Sequence, residues 1–255
     1  MLNSEIEIQD NNIAPASLAG FVSGWVIGGN IALENQLILF AMNIYNVIIL
    51  DESGSMSAIY KETLSSMNEV LNGIRRDQED HPDQKNFVTI VTFEGEGVKG
   101  VKTRRDRVPI ASIKDFTEED YRPGACTPLY DAMGKTLNEL ETLVPEGDRV
   151  LATVITDGYE NSSEEYSGRT IKALVDRLRA KGWTLAYIGA NQDAVGVARE
   201  LHISNALNFD ATGEGVELMS IKWSRARSKA CAKMKEQDLA GVCGSLTDIF
   251  DEDDE

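Results

Sequence analysis

The chain has 255 residues, of which 42% are hydrophobic and 26% are charged, a composition that allows one substantial buried core. Its formal net charge of −17 argues against a nucleic-acid backbone or an anionic membrane surface as the main partner, because both are also negatively charged. The three cysteines form no CxxC pair and there are only two histidines, so the sequence predicts neither a disulfide framework nor a zinc site and favours a reducing cytoplasm.

Residues 1–42 precede the first predicted core strand and form an N-terminal extension. Its beginning is acidic and polar and lacks the basic start of a secretory signal. Its later part is apolar, but the polar residues from Asn30 to Gln36 make it a poor membrane span. We expect Met42 to be the natural start of the protein; the alternative is a short amphipathic appendage that packs on the domain.

The first predicted strand, Tyr45 to Leu50, is a β-branched run without alternation, which is typical of a strand buried on both faces. Three oxygen-bearing side chains follow it at a spacing of two residues: Asp51, Ser53 and Ser55. In extended or loop backbone this spacing projects all three to one side, and Gly54 allows a tight turn there. One carboxylate and two hydroxyls suit a small hard cation such as Mg²⁺. The alternative is a turn in which Asp and Ser cap the following helix.

Helices and strands then alternate along the chain. Apolar residues at steps of four and three predict a helix over Met56 to Arg76, and Phe87 to Phe93 is predicted as the second strand. A glycine-containing turn leads into a short antiparallel edge strand, Val98 to Thr103. The long charged segment from Val108 to Gly124 is predicted as a loop, and loops at strand ends often carry binding specificity.

Two later segments place further oxygen atoms where binding sites are common. The second helix is predicted to start at Thr127, with Pro128 in its first turn, so a hydroxyl lies at the start of a helix. Arg149 to Thr156 is predicted as a buried strand, and Asp157 follows it directly. Because ligands bind outside the carboxyl ends of the strands in open α/β sheets, we expect these side chains to converge with those that follow the first strand.

Ser162 and Glu165 predict a capping box for the third helix. The remaining predicted elements are a strand, a helix, a strand and a long helix, at Trp183 to Gly189, Asp193 to Leu201, Ala206 to Phe209 and Glu214 to Lys235. This alternation predicts a doubly wound α/β domain with a mostly parallel sheet of about six strands and helices on both faces.

Taken in this order, the three segments Asp51 to Ser55, Gly124 to Ala132 and Val154 to Gly158 resemble the metal-ion-dependent adhesion site of the von Willebrand factor type A family. The resemblance covers about residues 43–236, which we take as the domain. The spacing in Thr127 to Ala132 and in Tyr187 to Ala194 looks like that of small prokaryotic members. The resemblance implies one antiparallel edge strand in the sheet. All five expected oxygen-bearing positions are filled, by Asp51, Ser53, Ser55, Thr127 and Asp157.

The resemblance also implies a division of labour among these five residues. Ser53 and Ser55 would bind Mg²⁺ directly, Thr127 directly or through water, and Asp51 and Asp157 largely through water and hydrogen bonds. A sixth position would stay open for a carboxylate of a partner protein. Mn²⁺ could replace Mg²⁺, whereas Ca²⁺ prefers more ligands. Some relatives act with AAA-type ATPases, so such a system is a possible partner.

Two functional classes fit a Mg²⁺ site. The first is a non-enzymatic protein-binding module, and the second is a Mg²⁺-dependent hydrolase or phosphoryl-transfer enzyme. The chain has neither a GxxxxGK[ST] phosphate loop nor a GxSxG nucleophile motif. Asp51 is followed by Glu-Ser rather than by the Asp-x-Asp pattern of aspartyl-phosphate phosphatases. The sequence therefore favours binding over catalysis.

Four other residues lie close in the sequence to the five predicted ligands. Asp131 is expected to pack or hydrogen-bond near the metal rather than to bind it. Glu52 is expected to point away from the metal. Tyr159 and Glu160 either line the rim of the site or belong to a solvated loop.

Residues 237–255 are strongly acidic and are predicted to form a disordered tail. The preceding helix carries several Lys and Arg residues and no acidic residue between Leu218 and Lys235, which usually indicates a solvated face. Two alternatives are that the tail folds back onto this helix, or that one of its carboxylates visits the metal site.

Overall fold

The computed structural model describes residues 42–190 and 193–250. Within these ranges six strands form one sheet in the spatial order β3-β2-β1-β4-β5-β6. They are β1 Met42–Asp51, β2 Gln84–Phe93, β3 Val101–Pro109, β4 Arg149–Thr156, β5 Thr184–Ala190 and β6 Asn205–Phe209. All neighbouring pairs are parallel except β2 and β3, which are antiparallel. The predicted sheet is therefore confirmed.

Helices cover both faces of this sheet. In the described ranges they are α1 Tyr60–Asp80, α2 Leu129–Leu143, α3 Gly168–Ala180, α4 Ala194–Glu200 and α5 Gly213–Leu239. Apolar residues of α1 and α5 pack on one face, and those of α2, α3 and α4 pack on the other. The predicted doubly wound α/β architecture is confirmed. None of the helices in these ranges is both long and apolar enough to cross a membrane.

The central strand β1 explains why the sequence shows no alternation there. Successive side chains of a strand point to opposite faces. Val47 and Ile49 belong to the core under α2 and α3, whereas Ile48 and Leu50 belong to the core under α1 and α5. All four side chains are at most 1% exposed. A strand covered on both faces needs apolar residues at every position.

The strand order also fixes where a ligand can bind. From β1 the chain moves through α1 to β2 on one side, and β4 then lies on the other side of β1. The connections therefore diverge between β1 and β4, which is the usual binding crevice of open α/β sheets. Leu50 pairs with Ile155, so Asp51 and Thr156 lie side by side at the carboxyl end of the sheet.

The edge strand differs from its prediction. β3 runs Val101–Pro109 instead of Val98 to Thr103, so the predicted loop from Val108 begins later. Its central residues are mostly charged and carry no apolar alternation, so their sequence resembles a loop. Pairing with β2 holds it in the sheet from Val101 opposite Phe93 to Pro109 opposite Phe87, with irregularities in the register on both sides of Ile90.

The predicted cap of the third helix is also wrong. α3 begins at Gly168, where the Ser167 hydroxyl accepts a hydrogen bond from Thr170 N–H in a capping box. Ser162 instead donates its hydroxyl proton to the Gly95 carbonyl at 2.8 Å, which ties the loop after β4 to the turn after β2. Both Ser162 and Ser167 lie before α3 in the sequence. The contact of Ser162 with Gly95 cannot be predicted from the local pattern.

The prediction of a disordered tail from residue 237 is wrong up to residue 250. α5 continues to Leu239, and three apolar side chains beyond it are buried against the core under α1 and α5: Leu246, Ile249 and Phe250. The side-chain amide of Asn205 donates to the Leu246 carbonyl at 3.1 Å and its oxygen accepts from Ile249 N–H at 3.2 Å. The segment is therefore part of the domain.

A buried arginine secures this segment. Arg149, the first residue of β4, is 1% exposed and forms an ion pair with Asp238. It also donates to the Val242 carbonyl at 2.7 Å. The basic helix α5 is likewise not simply solvated, because Arg227 is 2% exposed and forms an ion pair with Asp77. Residues 1–41 and 251–255 lie outside the described residues. The two interpretations of the N-terminal extension and the predicted roles of the last carboxylates fall on these residues.

Candidate metal centre

Asp51, the last residue of β1, anchors the first loop of the site. Its side chain is fully buried. The carboxylate accepts a hydrogen bond from Ser53 N–H at 2.7 Å and another from the Thr156 hydroxyl. Thr156 ends the neighbouring strand β4, so the register of the sheet brings the two side chains together. Asp51 therefore sets the path of the backbone that carries Ser53 and Ser55.

The two serines and Asp157 form a chain of hydroxyl and carboxylate groups. The Ser53 and Ser55 hydroxyl oxygens lie 3.2 Å apart. The Ser55 hydroxyl donates to Asp157 Oδ1 at 2.6 Å, which joins the loop after β1 to the loop after β4. Ser53 is 2% exposed, whereas Ser55 is exposed and Asp157 is partly exposed. The group therefore runs from the interior to the surface.

Thr127 enters from a third segment. It lies two residues before α2, which begins at Leu129, and its side chain is buried. Its N–H donates to Asn161 Oδ1 at 2.8 Å, and Asn161 N–H donates back to the Thr127 carbonyl at 3.2 Å. Gly54 N–H donates to the Ala125 carbonyl at 3.1 Å, so the first loop holds the same segment from the other side.

One point in space shows how closely these segments approach. A Cβ atom built on Gly158 would lie 3.2 Å from Thr127 Oγ1 and 3.8 Å from both Asp51 Oδ2 and Ser55 Oγ. Two loops thus bring three side-chain oxygens within 4 Å of one position on the third loop, and the contacts above connect Ser53 and Asp157 to the same group. The structure therefore brings together all five sequence-predicted residues. We call this group the candidate metal centre.

The electrostatics of the candidate metal centre favour a cation. Burial raises the pKa of Asp51 to about 6, and the nearby charge of Asp157 adds to the rise, although hydrogen bonds from Thr156 and Ser53 oppose it. Burial also raises the pKa of Asp157. In the described part of the chain, neither carboxylate forms an ion pair with Lys or Arg. A bound cation would offset both charges.

The donor set fits a small hard cation. It consists of three hydroxyls and two carboxylates, and Mg²⁺ prefers oxygen ligands. In residues 42–190 and 193–250, no three His, Cys, Asp or Glu side chains group closely enough to bind a metal, and the candidate metal centre itself has only two carboxylates beside its hydroxyls. Gly158 leaves free the space that a side chain would fill at the point of convergence.

Two residues of this region had no role in the sequence analysis. Glu52 is fully buried. Both oxygens of its carboxylate accept hydrogen bonds from Arg104 Nη2, at 3.0 and 2.9 Å. The Tyr121 hydroxyl donates to the Asp51 carbonyl at 2.9 Å, and burial raises the pKa of this phenol well above its usual value. Sequence offered weak signals for them: an acid at the end of a buried strand, and an aromatic residue inside a charged segment.

Two further acidic residues position backbone around the site. Asp131 accepts hydrogen bonds from the N–H groups of Glu164, Glu165 and Tyr166, which agrees with the expected packing role. Glu160 is bound by neighbouring donors: the N–H groups of Tyr130, Ser162 and Ser163 and the Ser163 hydroxyl. Glu160 is therefore a structural part of the rim, whereas Tyr159 beside it is 60% exposed.

One solved structure agrees with this fold, and two others show a weaker similarity. The open conformation of the pilus adhesin SpaC from Lactobacillus rhamnosus GG superimposes with a TM-score of 0.54 at 11% identity, covering 74% of this chain and 30% of that one. Proximal thread matrix protein 1 from the mussel byssus gives 0.49 at 14% identity, covering 72% and 46%. A von Willebrand factor type A protein from Catenulispora acidiphila gives 0.46 at 15% identity, covering 72% and 43%.

This chain therefore spans less than half the length of each of these structures. No curated protein matches it. The model of the von Willebrand factor type A domain matches residues 47–214, which include all five residues of the candidate metal centre. The chain belongs to the von Willebrand factor type A domain family.

Proposed function

We propose that this protein is a metal-dependent protein-binding module in which Mg²⁺ at the candidate metal centre binds a carboxylate of a partner protein. The observation that carries this proposal is the convergence of side-chain oxygens from the loop after β1 and the segment before α2 at Gly158, in the loop after β4. The family consists mainly of protein-interaction domains, often metal-dependent, which agrees with it. The AAA-type partner and the cytoplasmic, bacterial setting stay predictions.

The hydrogen bonds of the site prepare its hydroxyl oxygens for a cation. A hydroxyl has one proton and two lone pairs. Because the Ser55 proton is held by Asp157, its lone pairs are left for a metal. Ser53 and Thr127 would be the other direct ligands, whereas Asp51 already accepts two hydrogen bonds and would act mainly by holding the loop.

The charge balance of these ligands explains why a partner would be needed. Bound Mg²⁺ would supply a Lewis-acidic position for a further oxygen ligand. The direct ligands in this arrangement are neutral hydroxyls, and the two carboxylates lie behind them. An acidic side chain of the partner would therefore meet an incompletely neutralised cation.

The two histidines support binding over acid–base catalysis. His81 follows α1 and lies just before β2. His202 lies between α4 and β6, where its ring contacts Asp176 at 2.9 Å. Both positions are at the amino ends of strands, whereas the candidate metal centre is at the carboxyl ends. Neither imidazole is therefore placed to act on a ligand of the metal.

Calorimetric titration of Mg²⁺ and Mn²⁺ into the chelator-treated full chain tests the proposal. We expect one binding site, weakened at least about tenfold by Ser55→Ala and by Asp51→Ala. Ser57→Ala is the matched control, because Ser57 lies in the same turn, is exposed and is not part of the site. Affinity for Mg²⁺ that is equal in Ser55→Ala and Ser57→Ala would contradict the assignment.

A further inference from the structure

A cavity of ≈ 320 Å³ opens beside the candidate metal centre. Its walls come from the start of α2, the loop after β4, strand β5 and helix α4. The residues that line it are Leu129, Tyr130, Tyr159, Glu160, Tyr187, Asp193, Gly196, Val197 and Glu200. We call it the tyrosine cavity. It was not apparent from the sequence, because α4 is distant along the chain from the other walls.

Two short chain segments connect the tyrosine cavity to the candidate metal centre. Thr127 belongs to the metal centre and Tyr130 lines the cavity; Asp157 belongs to the metal centre and Glu160 lines the cavity. Three residues of extended chain span at most about 11 Å, so the two sites lie within reach of one short peptide. The Tyr130 N–H donates to the Glu160 carboxylate at 2.8 Å and fastens the two segments together.

The lining of the cavity combines aromatic rings with negative charge. It includes three tyrosines and three acidic residues and no Lys or Arg. Glu160 and Glu200 both act on the Tyr130 phenol, whose pKa is raised by burial first and by these two carboxylates next. Within the described ranges, no basic side chain forms an ion pair with Glu160, Asp193 or Glu200.

Charge and ring geometry together define the ligand that would fit. Arg and Lys bind to the faces of aromatic rings and to carboxylates, and their long side chains place the charge several ångströms from the backbone. The Glu160 carboxylate is held in place by hydrogen bonds from neighbouring N–H and O–H groups, so it offers a preorganised acceptor. Tyr159 is 60% exposed at the cavity's edge and is available to a partner.

We propose that the tyrosine cavity receives an arginine or lysine side chain from the same partner segment whose carboxylate binds at the candidate metal centre. This inference rests on the proposed function and adds the sequence specificity of the partner: an acidic residue and a basic residue within about four positions of each other. The overall charge of −17 would further favour a segment with a basic residue.

Selection from a random dodecapeptide phage library against the full chain tests the proposal. The selection is run in Mg²⁺ and, in parallel, with a chelator. We expect Mg²⁺-dependent enrichment of peptides that contain Asp or Glu with Arg or Lys nearby. Synthetic copies of an enriched peptide then compare arginine with citrulline, which has nearly the same shape without the charge, and we expect about tenfold weaker binding for citrulline.

Variants of the cavity locate the effect. In Glu200→Gln the difference between arginine and citrulline should shrink, because Glu200 is exposed and contributes charge without supporting the fold. Glu139→Gln, an exposed carboxylate on the outer side of α2, should leave the difference unchanged. Tyr159→Ala should weaken binding of the arginine peptide, and Tyr159→Phe should restore it, because the ring face is retained.

The outcomes separate this inference from the proposed function. Mg²⁺-dependent peptides that contain an acidic residue but show no preference for a basic one, or equal affinity for arginine and citrulline, would overturn the cavity assignment and leave the metal-dependent module intact. Absence of any Mg²⁺-dependent peptide would overturn both. An arginine preference that persists in Glu200→Gln and Tyr159→Ala would show that the basic side chain binds elsewhere.

Discussion

The two ends of the sheet treat buried charge in opposite ways. At the amino end, the buried Arg149 is paired with Asp238 and also donates to a backbone carbonyl. At the carboxyl end, the buried Asp51 has hydrogen-bond donors but no cation among the described residues. Because an uncompensated buried charge is costly, the pairing at the amino end supports stability, and the unpaired Asp51 is consistent with the proposed cation.

The carboxyl end contains both kinds of charge side by side. Asp51 and Glu52 are adjacent and both fully buried. Glu52 is paired with Arg104 of the edge strand, at 2.9 Å, whereas Asp51 faces Ser53 and Thr156. Exposure alone therefore does not identify a ligand-binding carboxylate. The two neighbouring carboxylates differ in that only Glu52 has a counter-charge among the described residues.

The largest effect is expected at the amino end. Truncation after Gly244 removes Leu246, Ile249 and Phe250, which are all at most 8% exposed. Burial of each such side chain contributes about 1.5 to 3 kcal/mol, so the loss is about 5 kcal/mol or more. Since typical domains are stable by only about 5 to 15 kcal/mol, the truncated chain should be largely unfolded or strongly destabilised in urea.

Truncation after Phe250 is the control for this prediction. It removes only residues 251–255, which are all acidic, and it keeps the buried apolar side chains. We expect the urea midpoint of this variant to stay close to that of the full chain. If the shorter truncation destabilised the protein as much as the longer one, the stability would not come from the three apolar residues.

The difference between this segment and the rest of the core explains what sequence could predict. The strands and long helices repeat apolar residues at regular steps, so their type and order were predictable. Leu246, Ile249 and Phe250 lie in a short segment without helix or strand, in which the apolar residues follow no regular period. The side chains of Asn205 and Thr184, at the starts of β6 and β5, hydrogen-bond to the backbone of this segment and hold it against the core. No local pattern reports such long-range contacts.

The candidate metal centre was predictable for a related reason, and its surroundings were not. Asp51, Ser53 and Ser55 occur at a fixed short spacing, which is visible in the sequence. The pairing of Glu52 with Arg104 depends instead on the register of β3 against β2, where Thr92 lies opposite Lys102. An antiparallel edge strand of mostly charged residues gives no signal of its register.

The next largest effect on stability is expected at the buried ion pair between Glu52 and Arg104, at the carboxyl end of the sheet. Arg104→Met removes the counter-charge of the buried Glu52. Breaking a buried ion pair from one side costs about 3 to 5 kcal/mol, and we expect the lower value because the Arg104 side chain is 20% exposed. Urea denaturation of the metal-free protein measures the loss without a contribution from Mg²⁺.

The double variant Glu52→Gln with Arg104→Met separates charge from packing. With both charges removed, the penalty for an unpaired buried carboxylate disappears, so we expect the double variant to be more stable than Arg104→Met alone. If it were less stable, Glu52 would be important mainly for its hydrogen bond from Arg122 N–H rather than for its charge.

Addition of Mg²⁺ should supply the counter-charge that Asp51 lacks at the carboxyl end and so raise the free energy of unfolding. At a Mg²⁺ concentration of about 100 times its Kd, binding to the native state alone adds about 2.7 kcal/mol to the free energy of unfolding. Thermal or urea denaturation in Mg²⁺ and in chelator measures this gain. Ser55→Ala should lose it and Ser57→Ala should keep it, because only the first removes an oxygen of the site. An equal gain in both variants would place the metal elsewhere.

The smallest effect is expected at the amino end and concerns pH. Glu141 of α2 has a lowered pKa, because Arg177 and then Lys181 bind its carboxylate. A pKa that is lower in the folded state stabilises the protein above the ordinary value of the group, and this stabilisation is lost as the pH falls through the folded value. Arg177 and Lys181 are 50% and 54% exposed, so solvent screening limits the effect to about 0.5 kcal/mol.

Comparison of the full chain with Glu141→Gln isolates this contribution from the other carboxylates. The difference in free energy of unfolding should be present at neutral pH, decline as the pH falls below the ordinary Glu pKa of about 4.3, and vanish only below the lower pKa of Glu141 in the folded state. Glu139→Gln, on the exposed side of the same helix, should show no such change between the two conditions. A difference that grew on acidification would mean that Glu141 is held in its protonated form, contrary to its two basic partners.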